Sequence, residues 1–248
     1  MSNLLTFEYD PAPQRSPEWL ARKRGKIGAS RMSDWLAVSK AKTGAGKPLK
    51  ARLDYEKELM FERQFGVSFQ TFVSDAMQDG IDYEDFARQQ FVKAYPQFQT
   101  AEVGCWFNEF VAVSPDRLLF PQGVNPDRVE NAVGVLEIKI VKDNTFTEIL
   151  MSGVPDKHMK QIQAQLWATG LSKGYYCALN FNTKRFVVIE VDRNEDDIEF
   201  MNEAVQENLV VEPFSLDYVH EIQGEIPTGV VIGADIDQSD SNVSTRGW

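Results

Sequence analysis

The stretch Val133-Gly134-Val135-Leu136-Glu137-Ile138-Lys139-Ile140-Val141 is an apolar strand with two charges in its middle. Side chains alternate across a strand, so Glu137 and Lys139 share one face. A charge buried on such a face is costly unless it is paired or bound to a metal. Upstream, Ser114-Pro115-Asp116 ends another strand, and Asp116 precedes Glu137 by 21 residues. That separation allows a hairpin that sets Asp116 beside Glu137. Two carboxylates and a lysine then share one small site, a donor set suited to a hard cation such as Mg2+ with an ammonium near an attacking water.

Two helices flank this centre. Gly80-Ile81-Asp82-Tyr83-Glu84 opens one of them, with Glu84 as a candidate third carboxylate. Gln161-Ile162-Gln163 lies on the other, where Gln161 and Gln165 share a face and Gln163 lies off it. Further out, the pattern predicts helices from Pro17 to the stop at Gly25, over Ala29–Val38, Leu49–Phe65, Asp82–Ala94, Thr145–Met151 and His158–Thr169, and from Glu195 to near Leu209. Strands are predicted over Phe98–Val103, Trp106–Val113 and Val133–Val141, with Pro115 and a Gly-Val-Asn-Pro-Asp loop between the last two. A hairpin follows over Tyr175–Phe181 and Arg185–Val191 through Asn182-Thr183-Lys184, and residues 39–48 read as a flexible basic loop. The fold class is α/β, a central mixed sheet flanked by helices. The domain organisation is one domain over residues 1–223 and an acidic Gly-, Ser- and Asp-rich tail over 224–248.

The chain has 248 residues and a formal net charge of −11, a balance that excludes indiscriminate coating of nucleic acid or an anionic membrane. The charge is uneven. Residues 15–52 hold 11 basic and two acidic side chains, whereas residues 193–248 hold two basic and 13 acidic ones. A basic N-terminal block of this kind can position phosphates whatever the sign of the whole. Two cysteines exclude a disulfide framework, and two histidines argue against a histidine-built metal site. No apolar run reaches membrane-spanning length, and the N-terminus lacks the order of a signal peptide, so a cytoplasmic protein without membrane contact is expected.

Taken in order, Trp19, Gly25, Ala29-Ser30, Gly80-x-x-Tyr83-Glu84, Ser114-Pro115-Asp116, Leu136-Glu137-Ile138-Lys139 and Gln161-x-Gln163 with Trp167 resemble the phage lambda exonuclease family. These are YqaJ-like viral alkaline exonucleases of the PD-(D/E)xK nuclease superfamily, and the match runs from about Trp19 to the hairpin near Val191. The resemblance implies a restriction-endonuclease-like fold and Mg2+ (or Mn2+) held by Asp116, Glu137 and the Ile138 carbonyl. It makes Lys139 the group that orients water and stabilises developing charge, with Glu84 assisting the water and Gln161 contacting the site. It implies a pocket for the terminal 5′-phosphate built from the Arg22-Lys23-Arg24 cluster, Ser30 and Ser114. The pattern's arginine position falls on Lys23, its glycine after Ser-Pro-Asp is Arg117, and Ile140-Val141 replace a Cys-Pro-like pair.

The activity implied is 5′-to-3′ digestion of one strand of linear double-stranded DNA, leaving 3′ overhangs for phage-type recombination by strand annealing. The implied partners are DNA ends, two further copies of the chain in a homotrimer, and a single-strand annealing protein in a bacterial host carrying the phage or prophage. A PD-(D/E)xK endonuclease of restriction or repair type and a non-catalytic DNA-binding subunit are the alternatives.

Overall fold

The structure, a computed structural model, describes residues 4–43, 45–69 and 75–207, with the backbone alone over 75–82. Its centre is a five-stranded mixed sheet in the order β3-β6-β7-β8-β9, built from β3 (Phe98–Ala101), β6 (Arg117–Pro121), β7 (Gly134–Val141), β8 (Lys173–Asn180) and β9 (Phe186–Asp192). β7 pairs antiparallel with β6 and parallel with β8. A parallel pair requires a crossover, which here carries α5 (Asp143–Ser152) and α6 (Asp156–Thr169). The period of two in β7 sorts its side chains into two layers. Val135 and Val141 join the larger core with Ile162 and Leu166 of α6, while Leu136, Ile138 and Ile140 pack with Ala87 and Phe91 of α4 (Asp75–Ala94).

A second sheet, in the order β1-β4-β5-β2, is formed by β1 (Glu8–Asp10), β2 (Ile27–Gly28), β4 (Cys105–Phe107) and β5 (Val111–Val113). The single strand expected over Trp106–Val113 is therefore a hairpin. Asn108 turns it, its Oδ1 accepting from the N–H groups of Phe110 and Val111. β6 occupies residues expected to lie between strands, and α4 begins seven residues before Asp82, with Gly80 inside it.

The N-terminal helices follow their capping signals. In α1 (Pro17–Lys23) the Ser16 hydroxyl accepts from Trp19 N–H, and proline occupies the first position. At Gly25 the chain takes φ +66, and a Cβ there would sit 2.5 Å from Arg63 Cγ, so only glycine fits. The helix expected over Ala29–Val38 is a 3-10 turn, Ala29–Arg31, followed by the single α-turn α2 (Met32–Trp35). The basic loop after it is closed by a bridge between Val38 and Pro48, and α3 (Lys50–Phe65) ends on Gly66 at φ +66. The last described helix is α7 (Glu195–Glu207); the expected end near Leu209 and the acidic tail lie outside the described residues. Among the described residues no helix is long and apolar enough to cross a membrane.

One contact fixes α6 over the sheet. A Cβ on Gly174 of β8 would lie 2.6 Å from Ile162 Cγ2, a stiff branched side chain that is fully buried. Gly174→Ala is expected to lower stability by about 1–3 kcal/mol, read as a lower urea midpoint with an unchanged slope.

Candidate active site

Asp116 stands just before β6, and the pairing of Arg117 with Leu136 brings it opposite Glu137. Its Oδ2 accepts the Ile138 N–H at 2.7 Å. The N–H and C=O of one strand residue point to the same neighbour, so the Ile138 carbonyl faces the side from which Asp116 reaches in. Glu137 is fully buried. Its Oε1 accepts from Gln161 Nε2 at 2.6 Å and its Oε2 from Gln165 Nε2 at 2.5 Å, the two amides rising from one face of α6. Lys139 Nζ pairs with the same carboxylate. The structure thus brings together Asp116, Glu137, Ile138, Lys139 and Gln161.

Burial and the neighbouring Glu137 hold the Asp116 carboxyl well above the usual carboxylate range, against the pull of Lys139 and the Ile138 N–H. Burial works against the charge on Lys139, yet Glu137 and Asp116 outweigh it and lift its pKa. Once both carboxylates are ionised, the single ammonium leaves an excess of negative charge, and every donor is a hard oxygen. A divalent cation of the Mg2+ type fits this set, with water or substrate completing its shell. Among the described residues no group of three or more His, Cys, Asp or Glu side chains is placed to hold a metal ion.

Glu84 comes from α4. Its Oε1 lies 2.9 Å from Arg117 Nη1, and its Oε2 lies 3.8 Å from Arg15 Nη2. Gln163 is turned away, donating to the Asp192 carbonyl.

Gln165 is the residue the motif reading passed over. Its spacing of four from Gln161 was the available signal, and the missing element was a buried acceptor to receive both amides. An amide that orients a ligand carboxylate sets its direction and basicity. Gln165→Leu is expected to cut metal affinity or turnover by about 10–100-fold, measured by titration and initial rates on one preparation.

The expected phosphate-pocket residues divide. Lys23, Arg24 and Ser30 line one cleft of about 310 Å³ together with Lys26 and Arg31, which were not singled out in the sequence. Arg31 is already paired with Asp34 and Glu58. The Lys23 ammonium stands 3.9 Å over the Trp19 ring, and desolvation lowers its pKa despite Cys105, Asp116 and Glu137 nearby. Arg24 Nε is a buried donor with no protein partner. Arg22 lies apart, paired with Asp10 at 2.8 Å and resting on Phe107. Ser114 is joined to the cleft by Trp19, whose Nε1 donates to its Oγ at 2.8 Å.

A mixed sheet flanked by helices, with an aspartate before one strand and Glu-x-Lys inside the next, is the PD-(D/E)xK fold. Within that class, the chain belongs to the YqaJ-like viral recombinase domain family, whose model matches residues 18–172. An alkaline exonuclease from Laribacter hongkongensis, LHK-Exo, superposes with a TM-score of 0.64 at 24% identity, covering 78% of this chain and 91% of that one. The same enzyme in complex with dAMP gives 0.62 at 25% identity, with the same shares covered. A phage-related exonuclease from Haemophilus somnus 129PT gives 0.52 at 15% identity, covering 73% of this chain and 92% of that one. No curated protein matches the chain in sequence.

Proposed function

We propose that this chain, a deoxyribonuclease by family and fold, is a Mg2+-dependent 5′-to-3′ exonuclease on linear double-stranded DNA. The observation that carries the reading is the buried Glu137, gripped by Gln161, Gln165 and Lys139 with Asp116 opposite it. Mg2+ held by Asp116, Glu137 and the Ile138 carbonyl would polarise the scissile phosphate and acidify the attacking water. Lys139 is 27% exposed, and its ammonium offsets charge that builds on the phosphoryl oxygens as water adds to phosphorus. The P–O3′ bond breaks, freeing the terminal nucleotide with a 3′-hydroxyl and leaving a 5′-phosphate on the shortened strand. The two glutamines hold the Glu137 carboxylate in one orientation throughout. Glu84 assists in orienting the water.

The cleft beside α1 receives the terminal 5′-phosphate. Arg24 is its leading cation, since its unpartnered Nε supplies a donor that an anion satisfies, with Ser30, Lys23 and, through Trp19, Ser114 around it. Strand removal in this direction leaves 3′ overhangs for recombination by strand annealing. A homotrimer and an annealing protein as partner, inside a bacterial host of the phage or prophage, complete this reading.

The test compares one linear duplex carrying 5′-phosphate or 5′-hydroxyl ends, digested in Mg2+. The wild type is expected to prefer the phosphorylated end, and Arg24→Gln to erase the preference without abolishing cleavage. Equal rates on both ends in the wild type refute the phosphate cleft.

A further inference from the structure

We propose that Arg117 is a positioning residue that withholds Glu84 from direct metal coordination and fixes it as the outer carboxylate of the site, an inference that rests on the metal site proposed above. Arg117 begins β6, next to Asp116, and its side chain is only 13% exposed. One guanidinium nitrogen, Nη1, donates to the Asp116 carbonyl at 2.5 Å and pairs with Glu84 Oε1 at 2.9 Å. Arg117 therefore ties Glu84 of α4 to the backbone of the residue that supplies one of the two ligand carboxylates. Arg15 is a weaker second holder, 63% exposed and 3.8 Å away. Glu102 Oε2, 3.7 Å from the same Nη1, is half exposed.

A depression of about 220 Å³ lies beside Glu84, lined also by Gln14, Arg15, Asp85, Glu102 and Arg117. The charge of Glu84 is felt at both Asp116 and Lys139, so it lies within electrostatic reach of the centre. Without Arg117, Glu84 keeps, among the described residues, only the distant Arg15 as a cationic partner, and a bound cation gains a third anionic partner. With Arg117 in place, Oε1 of Glu84 is engaged by the guanidinium. The glycine that the lambda exonuclease pattern has at this position carries no group able to do this.

The experiment measures Mn2+ affinity by calorimetry on the full chain without DNA, and nucleotide release from linear duplex separately. Arg117→Met is expected to bind Mn2+ about tenfold more tightly because the released Glu84 becomes a third anionic partner, and to release nucleotides about tenfold more slowly through misplacement of Glu84. Arg117→Lys, which keeps the charge, is expected to stay within about twofold of wild-type affinity. In a Glu84→Gln background the Arg117→Met change is expected to move affinity by less than about twofold, because the two residues act as a unit. Glu84→Gln alone is likewise expected to keep affinity within about twofold, and this arm needs no change at Arg117.

Unchanged or weaker Mn2+ binding in Arg117→Met overturns the proposal, as does equal tightening in the Glu84→Gln background. A tenfold loss in Glu84→Gln alone overturns it too, by making Glu84 a direct ligand. Should wild type bind no Mn2+, the metal site itself is refuted and this inference with it; binding without DNA degradation refutes only the nuclease reading.

Discussion

Glu137→Gln is expected to lower nucleotide release from linear duplex DNA by about 10³-fold or more while the chain stays folded. The carboxylate is buried and has three partners, so its replacement removes a ligand charge at the one point where every interaction converges. The hydrogen bonds survive the change, because a flipped Gln161 or Gln165 offers its amide oxygen to the new NH2 group. Loss of the neighbouring charge also lets the Asp116 carboxyl fall back toward its ordinary range, since Glu137 is one of the groups that raises it. Initial rates together with a thermal melt decide the matter. A folded variant with turnover near wild type shows that Glu137 has no part in the reaction.

Lys139→Met is the second large effect. Removal of a donor aimed at developing charge is expected to cost about 10²–10³-fold in turnover. It also leaves Glu137 and Asp116 without their ammonium. In the absence of metal the fold is expected to lose up to about 3 kcal/mol, the low end for breaking a buried pair because Lys139 keeps some access to water. Added Mg2+ is then expected to raise the Tm of the variant by more than that of wild type, since the cation takes over the neutralising role. Equal shifts in the two proteins separate Lys139 from the carboxylate pair.

The meeting of Asp116, Glu137 and Lys139 was legible because it is written in local patterns. Glu137 and Lys139 alternate inside an otherwise apolar strand, and Asp116 lies one hairpin away, so their meeting follows from strand geometry. Gly66, Gly153 and Gly170 all stand with positive φ where helices were expected to stop. Other features needed three dimensions. β1 and β2 are three and two residues long, too short to show a period, and exist because β4 and β5 offer them partners. The β4–β5 hairpin hides in a nearly continuous apolar run whose turn depends on the side chain of Asn108. The three adjacent cations at 22–24 look alike in sequence. Tertiary contacts separate them, Arg22 being spent on Asp10 and Phe107 while Arg24 faces the cleft. Gln165 became visible only once the buried Glu137 supplied the acceptor for its amide.

The most direct test of the whole account is nucleotide release in Mg2+ from a linear duplex and from a covalently closed circle of the same sequence. The account predicts steady release from the linear form, none from the circle, and loss of release when Mg2+ is chelated. Degradation of the closed circle at a comparable rate, or undiminished release after chelation, contradicts it.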